Sequence, residues 1–137
     1  MSLLINDVAP NFNAKSTIGN IDFHQWMDES YTILFSHPKD FTPVCTTEFA
    51  VVAKLSREFD ARSTKIIGVS VDATDDHHKW IKDIELVSDA HITFPIIDDT
   101  SLNVAKLYGM LPSDAFLPDG RTAQHSATVR TVFIIGP

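Results

Sequence analysis

At 137 residues, with 44 % hydrophobic and 21 % charged residues, the chain has the length and balance of one globular domain built on a single core. Eleven basic against eighteen acidic residues leave a net charge of −7 with no basic patch, which argues against nucleic acid or an anionic membrane surface as partner. No charged-then-apolar leader and no apolar run near about 18 residues is seen, so neither signal peptide nor membrane span is expected, and the lone cysteine, Cys45, excludes an internal disulfide and fits a reducing, cytoplasmic setting.

In chain order, Asp7-Val8-Ala9-Pro10-Asn11-Phe12 reads as a loop entering an extended piece. Residues 12–22, with Gly19-Asn20 in the middle, predict a small hairpin, and 24–27 a short helical turn. Residues 31–36 (YTILFS) are aromatic and β-branched, as in a buried strand. From Pro43 the period changes: Val44/Cys45, Phe49, Val52, Leu55 and Phe59 recur every three or four residues, predicting a helix over 43–60 with one apolar face. Thr42 suits the N-cap and Pro43 the first helical position.

Residues 64–71 form a continuous apolar run suited to a central parallel strand, completing a right-handed β-α-β unit. Thr74 is expected to cap the next helix, with Asp75 and Asp76 in its first turn and Trp80, Ile81, Ile84 and Val87 as its buried stripe. His77 and His78, flanked by charged residues, read as its solvated face. Residues 94–97 predict a short strand that Pro95 assigns to an edge or a starting position. Residues 101–108 predict a helix ended by Gly109. A long loop follows over 110–126, marked by Pro112, Pro118 and Asp119-Gly120. Residues 128–135 predict a final strand, in which Val129, Thr131, Phe133 and Ile135 alternate with Arg130, Val132 and Ile134. This alternation of strands and helices indicates an α/β fold with a mixed central sheet flanked by helices.

The chemistry concentrates at Cys45. A cysteine in the first turn of a helix sits among unpaired backbone N–H groups at the positive end of the dipole, where a thiolate is favoured. A lone cysteine is also commonly a small buried hydrophobe, and the position alone leaves both readings open.

The spacing Pro38-x-x-x-Thr42-x-x-Cys45 resembles the active-site motif of the peroxiredoxins. The longer run FSHPKDFTPVCTTE, residues 35–48, is similar to the one-cysteine, peroxiredoxin-six type subfamily, with His37 before the proline and Thr46 after the cysteine. The resemblance continues through Phe94-Pro95-Ile96-Ile97-Asp98-Asp99 and Arg130 to Phe133-Ile134-Ile135-Gly136-Pro137. It implies a thioredoxin-like fold over residues 1–137 and a thiol peroxidase acting on hydrogen peroxide and organic hydroperoxides.

In that reading Cys45 is the nucleophile and becomes a sulfenic acid. Thr42 hydrogen-bonds the peroxide, Arg130 supports the thiolate and polarises the peroxide, and Pro38 shields the pocket. Glu48 holds the arginine and His37 lines the pocket. No cofactor is implied, and an external thiol, glutathione or thioredoxin-like, completes the cycle. The six histidines (24, 37, 77, 78, 91 and 125) show no metal-ligand spacing, so no metal is expected.

The subfamily's lipase-like activity maps onto His24 and Ser30, but the context Asp28-Glu29-Ser30-Tyr31-Thr32 lacks both expected glycines. A rival of a different class is a non-catalytic binding or chaperone-like module on the same fold. Family members continue past the position of Pro137 with a further strand, a Tyr-Pro segment, a second active-site arginine and a dimerisation arm. A homodimer is therefore expected of a longer form, and the chain reads as C-terminally truncated.

Overall fold

Strand β3 (Tyr31–Ser36) is an interior strand one place from the edge of the sheet, and it positions the site. The structure is a computed structural model that describes residues 3–37, 40–111 and 130–137. The sheet runs in the order β2 (Gly19–Asp22), β1 (Asn13–Ser16), β5 (Ile96–Asp98), β4 (Thr64–Ser70), β3, β6 (Val132–Ile135). β3, β4 and β5 are mutually parallel, while β1 and β2 at one end and β6 at the other run antiparallel to their neighbours. The helices are α1 (Phe23–Met27), α2 (Pro43–Lys54), α3 (Ser56–Ala61), α4 (Thr74–Ser88) and α5 (Asn103–Leu107). No helix among the described residues is long and apolar enough to cross a membrane.

Successive side chains of a strand face opposite ways, so each central strand feeds two cores. Leu34, Ile67, Val69 and Ile97 join Phe12, Phe23 and Tyr108 on one side. Phe35, Ile66 and Ile96 join Phe49, Trp80 and Ile84 on the other, together with Cys45. Gly68 of β4 allows the second core to close: a Cβ there would meet the Phe49 ring at 3.0 Å. α2 and α4 therefore pack onto the sheet face that carries the cysteine.

Several predicted boundaries shift for identifiable reasons. The hairpin turns at Thr17-Ile18, and Gly19, at φ 105°, is the first residue of β2 rather than part of the turn. The helix predicted over 43–60 breaks at Leu55, whose N–H is shared between the carbonyls of Val51 and Val52, a tightening that ends α2. Thr74 is the first residue of α4 and not its cap. The cap position is Ala73, and the orphan N–H and hydroxyl of Thr74 both donate to Asp98 Oδ2, at 3.0 and 2.9 Å. β5 is an interior strand. Pro95 precedes it, so the starting-position alternative holds and the edge alternative does not.

β6 begins at Val132, with Val132 and Ile134 exposed and Phe133 and Ile135 turned inward, as the alternation predicts. Residues 112–126 of the predicted long loop, and residues 128 and 129 of the predicted last strand, lie outside the described residues.

Candidate active site

The site forms where β3 ends and α2 begins. His37 follows the strand, with its N–H bonded to Val69 O at 3.1 Å. The connecting loop then turns through Phe41, which holds the left-handed φ of 62°, a conformation that costs a bulky residue about 1–3 kcal/mol and persists only where its surroundings impose it. That turn delivers Thr42 in extended conformation and starts α2 at Pro43. Thr42 occupies the N-cap position, but its side chain makes no capping hydrogen bond. The Thr42 carbonyl instead accepts the first helical bond, from the Thr46 N–H at 3.0 Å, and also the Thr46 hydroxyl at 2.8 Å. Trp80 Nε1 donates to the same Thr46 hydroxyl at 2.9 Å and so ties the first turn of α2 to α4.

Cys45 is fully buried in that first turn, one helical turn from the equally buried Phe49. Arg130 reaches it from the other end of the chain. Ser36 and Thr131 exchange hydrogen bonds (Ser36 N–H to Thr131 O at 2.9 Å, Thr131 N–H to Ser36 Oγ at 3.0 Å), which sets Arg130 beside the C-terminal end of β3. Arg130 Nη2 lies 3.6 Å from Cys45 Sγ, and Nη1 pairs with the Glu48 carboxylate. A slight burial opposes the guanidinium charge, but Cys45 and Glu48 outweigh it and push its pKa up. A mostly apolar cleft of about 240 Å³ opens alongside, lined by Ile33, Phe35, Val52 and Phe59 together with Glu48 and Arg130.

Behind the loop lies a buried polar cluster. Asp40 receives His37 Nε2 on one carboxylate oxygen at 2.5 Å and His77 Nδ1 on the other at 2.6 Å. His77 Nε2 bonds Ile97 O at 2.9 Å, and the Asp40 N–H donates to Asp72 Oδ2 at 2.7 Å. Burial would raise the pKa of Asp40, but the bonds from His37 and His77 outweigh it and hold the carboxyl below its ordinary range. Burial likewise works against a charge on His77, but Asp40 and the Ile97 carbonyl push its pKa up. For His37 burial wins, and its pKa falls.

The model of the AhpC/TSA family matches residues 5–137. The mitochondrial peroxiredoxin PRX1 of Saccharomyces cerevisiae is 49 % identical over 98 % of this chain. The chain belongs to the AhpC/TSA family. Among solved structures, a mutant of peroxiredoxin 6 of Arenicola marina superposes with a TM-score of 0.87 at 42 % identity, covering 99 % of this chain and 61 % of that one. A yeast mitochondrial 1-Cys peroxiredoxin, described with a thiol resolving mechanism via glutathione/thioredoxin systems, superposes with a TM-score of 0.78 at 41 % identity, covering 98 % of this chain and 70 % of that one. The chain spans about half of the yeast PRX1 sequence, 51 %. Family membership brings the thioredoxin-like fold, and the mixed sheet with flanking helices agrees with it.

Against the residues singled out from the sequence, the structure brings Cys45, Arg130 and Glu48 into one contact set, with Thr42 at the head of their helix and His37 at the end of β3. Pro38 lies outside the described residues. His24 lies on the surface, away from Cys45, with its Nε2 2.7 Å from Ala9 O.

Asp40 and His77 were missed. The reading of the His77-His78 pair as a solvated face is corrected, because His77 is fully buried and only His78 is exposed. The signal was present: His77, Trp80 and Ile84 recur at helical spacing, which puts His77 on the buried stripe. The absence of a local metal-ligand spacing likewise concealed that His37, Asp40 and His77 converge in space, with ligand-type atoms within 4.8 Å of one another.

Proposed function

We propose that this chain carries the peroxide-reducing half-reaction of a one-cysteine thiol peroxidase. The observation that carries this reading is the buried Cys45 thiol at a helix N-terminus, 3.6 Å from a guanidinium that Glu48 holds in place. The Cys45 thiolate attacks one peroxide oxygen and the O–O bond breaks. The second oxygen leaves with its electron pair, takes up a proton and departs as water or an alcohol, while Cys45 becomes a sulfenic acid. Arg130 supports the thiolate and then the charge that develops on the leaving oxygen. The apolar cleft beside Arg130 supports organic hydroperoxides as substrates alongside hydrogen peroxide.

No second cysteine exists in the chain to resolve the sulfenic acid. Two equivalents of an external thiol return it to the thiol, releasing water and a disulfide, and the likeness to the yeast 1-Cys enzyme favours glutathione or a thioredoxin-like protein in that role. A reducing compartment, the cytoplasm, suits such a thiol. A homodimer is what the resemblance to the one-cysteine subfamily implies for the longer protein, and sedimentation of that longer form tests it.

The test is the rate of oxygen addition to Cys45 by one equivalent of hydrogen peroxide, followed by intact mass, with Cys45→Ser as the blank. Oxidation orders of magnitude faster than a free thiol is expected. Oxidation at the rate of a free thiol overturns the reading.

A further inference from the structure

The buried His37–Asp40–His77 cluster holds none of the reacting atoms, yet it is the most elaborate polar arrangement in the described core. Its distances decide its chemistry. Two ligands each about 2.0–2.1 Å from a tetrahedral zinc ion stand about 3.3 Å apart. Both histidines approach Asp40 to 2.5–2.6 Å, so the gaps are those of hydrogen bonds and leave no room for an ion.

The proton count then follows from the partners. Both ring nitrogens of His77 face acceptors, the Asp40 carboxylate and the Ile97 carbonyl, so both carry protons and the ring is an imidazolium. His37, deep in the fold and neutral, spends its single ring proton on Asp40 through Nε2, which fixes Nδ1 as the acceptor nitrogen. Asp40 thus answers to two histidines on two different elements, β3's C-terminal extension and α4. Its own backbone belongs to the loop that turns at Phe41 and enters α2 three residues before Cys45 in sequence, at Thr42. The His37 ring also packs 4.8 Å from Phe49 and 4.9 Å from Trp80, the two rings that back the first turns of α2.

We propose that His77 is a positioning residue for the Cys45 site: it orients the Asp40 carboxylate, which fixes the tautomer of His37 and the loop that delivers Cys45. This rests on the peroxidase reading of Cys45. The groups facing His77 are Asp40, the Ile97 carbonyl, Asp72 at longer range and the His37 ring at 6.2 Å.

The experiment compares wild type, His77→Leu and His77→Asn. The asparagine amide restores a donor near the Nδ1 position, and leucine restores none. Two quantities are read: the rate of Cys45 oxidation by hydrogen peroxide, and the ring ¹⁵N shifts of the two histidines. In the wild type at pH 7, His77 is expected to show two protonated nitrogens and His37 the Nε2–H tautomer. His77→Leu is expected to slow oxidation at least tenfold and to lose that His37 tautomer, while His77→Asn recovers both. A folded His77→Leu with the wild-type rate and unchanged His37 shifts overturns the proposal. A neutral His77 in the wild-type spectrum overturns it as well, and that measurement decides the matter if the leucine variant does not fold. If wild-type Cys45 reacts no faster than a free thiol, the peroxidase reading fails and with it the catalytic half of this proposal, whereas the ¹⁵N shifts still decide whether His77 governs His37.

Discussion

Arg130 and Cys45 are 85 residues apart in sequence and 3.6 Å apart at their closest side-chain atoms. The contact exists because β6 pairs antiparallel with β3 while α2 leaves the same end of β3. A fork of nitrogens then serves two partners at once, the sulfur and the Glu48 carboxylate.

Arg130→Met is expected to slow Cys45 oxidation by about a hundredfold, in line with the loss of one preorganised donor at a developing negative charge. Arg130→Lys keeps the charge and loses the two-nitrogen geometry, so an intermediate rate is expected. Stopped-flow oxidation by hydrogen peroxide checks both.

Glu48→Gln is expected to cost about 1 kcal/mol or less of stability, because the Glu48 and Arg130 side chains are 43 % and 41 % exposed and solvent screens their attraction. Its effect falls on orientation. A several-fold slower oxidation with a nearly unchanged urea midpoint is the expected pattern, and a large stability loss with an unchanged rate is the pattern that contradicts it.

Gly68→Ala places a methyl 3.0 Å from the Phe49 ring in a packed core. Overpacking of this kind costs about 1–3 kcal/mol. Because Phe49 lies one turn from Cys45 on α2, the variant is expected to lower the urea midpoint and slow Cys45 oxidation together.

The Asp40–His77 pair makes stability depend on pH with a definite sign. His77 is raised above its ordinary 6.5, so its contribution is complete below that value and is lost as pH rises through the folded value. Asp40 is lowered below its ordinary 3.8, so its contribution is complete above that value and is lost as pH falls through the folded value. His37, whose pKa is lowered chiefly by burial, works the other way below pH 6.5, and because the His77 charge adds to that lowering, its removal in the variant offsets part of the wild-type advantage there. The Tm advantage of wild type over His77→Asn is therefore expected to be greatest between about pH 4 and 6.5 and to shrink above it. Thermal melts across that range measure it.

What the sequence revealed and what it concealed divide along the range of the interactions. Periodicity located β3, α2, β4 and α4 because their patterns are local and long. The first-turn position of Cys45 followed from Thr42 and Pro43, and the motif resemblance pointed to Arg130 and Glu48. The cap of α4 was misread because the group that satisfies it, Asp98, arrives from β5. The break at Leu55 left no mark, since the apolar spacing runs through it to Phe59. His77 was lost to its neighbours: Asp75, Asp76 and Lys79 give the segment a solvated look, although the spacing to Trp80 and Ile84 pointed inward. A carboxylate that joins residues 37 and 77 is a fact about three dimensions, and no window of sequence contains it.

Trp80 is 1 % exposed, and its indole N–H holds Thr46, the residue next to Cys45. Its ring centroid lies 4.5 Å from that of Phe49. The other of the chain's two tryptophans, Trp26, sits in the opposite core under the Lys65 ammonium. One indole is thus wired to the turn that an added oxygen must disturb, and the other is placed where it senses little of it. Oxidation of Cys45 is therefore expected to change the emission of Trp80 and leave that of Trp26 nearly constant, which single-tryptophan variants titrated with hydrogen peroxide would read without a dye.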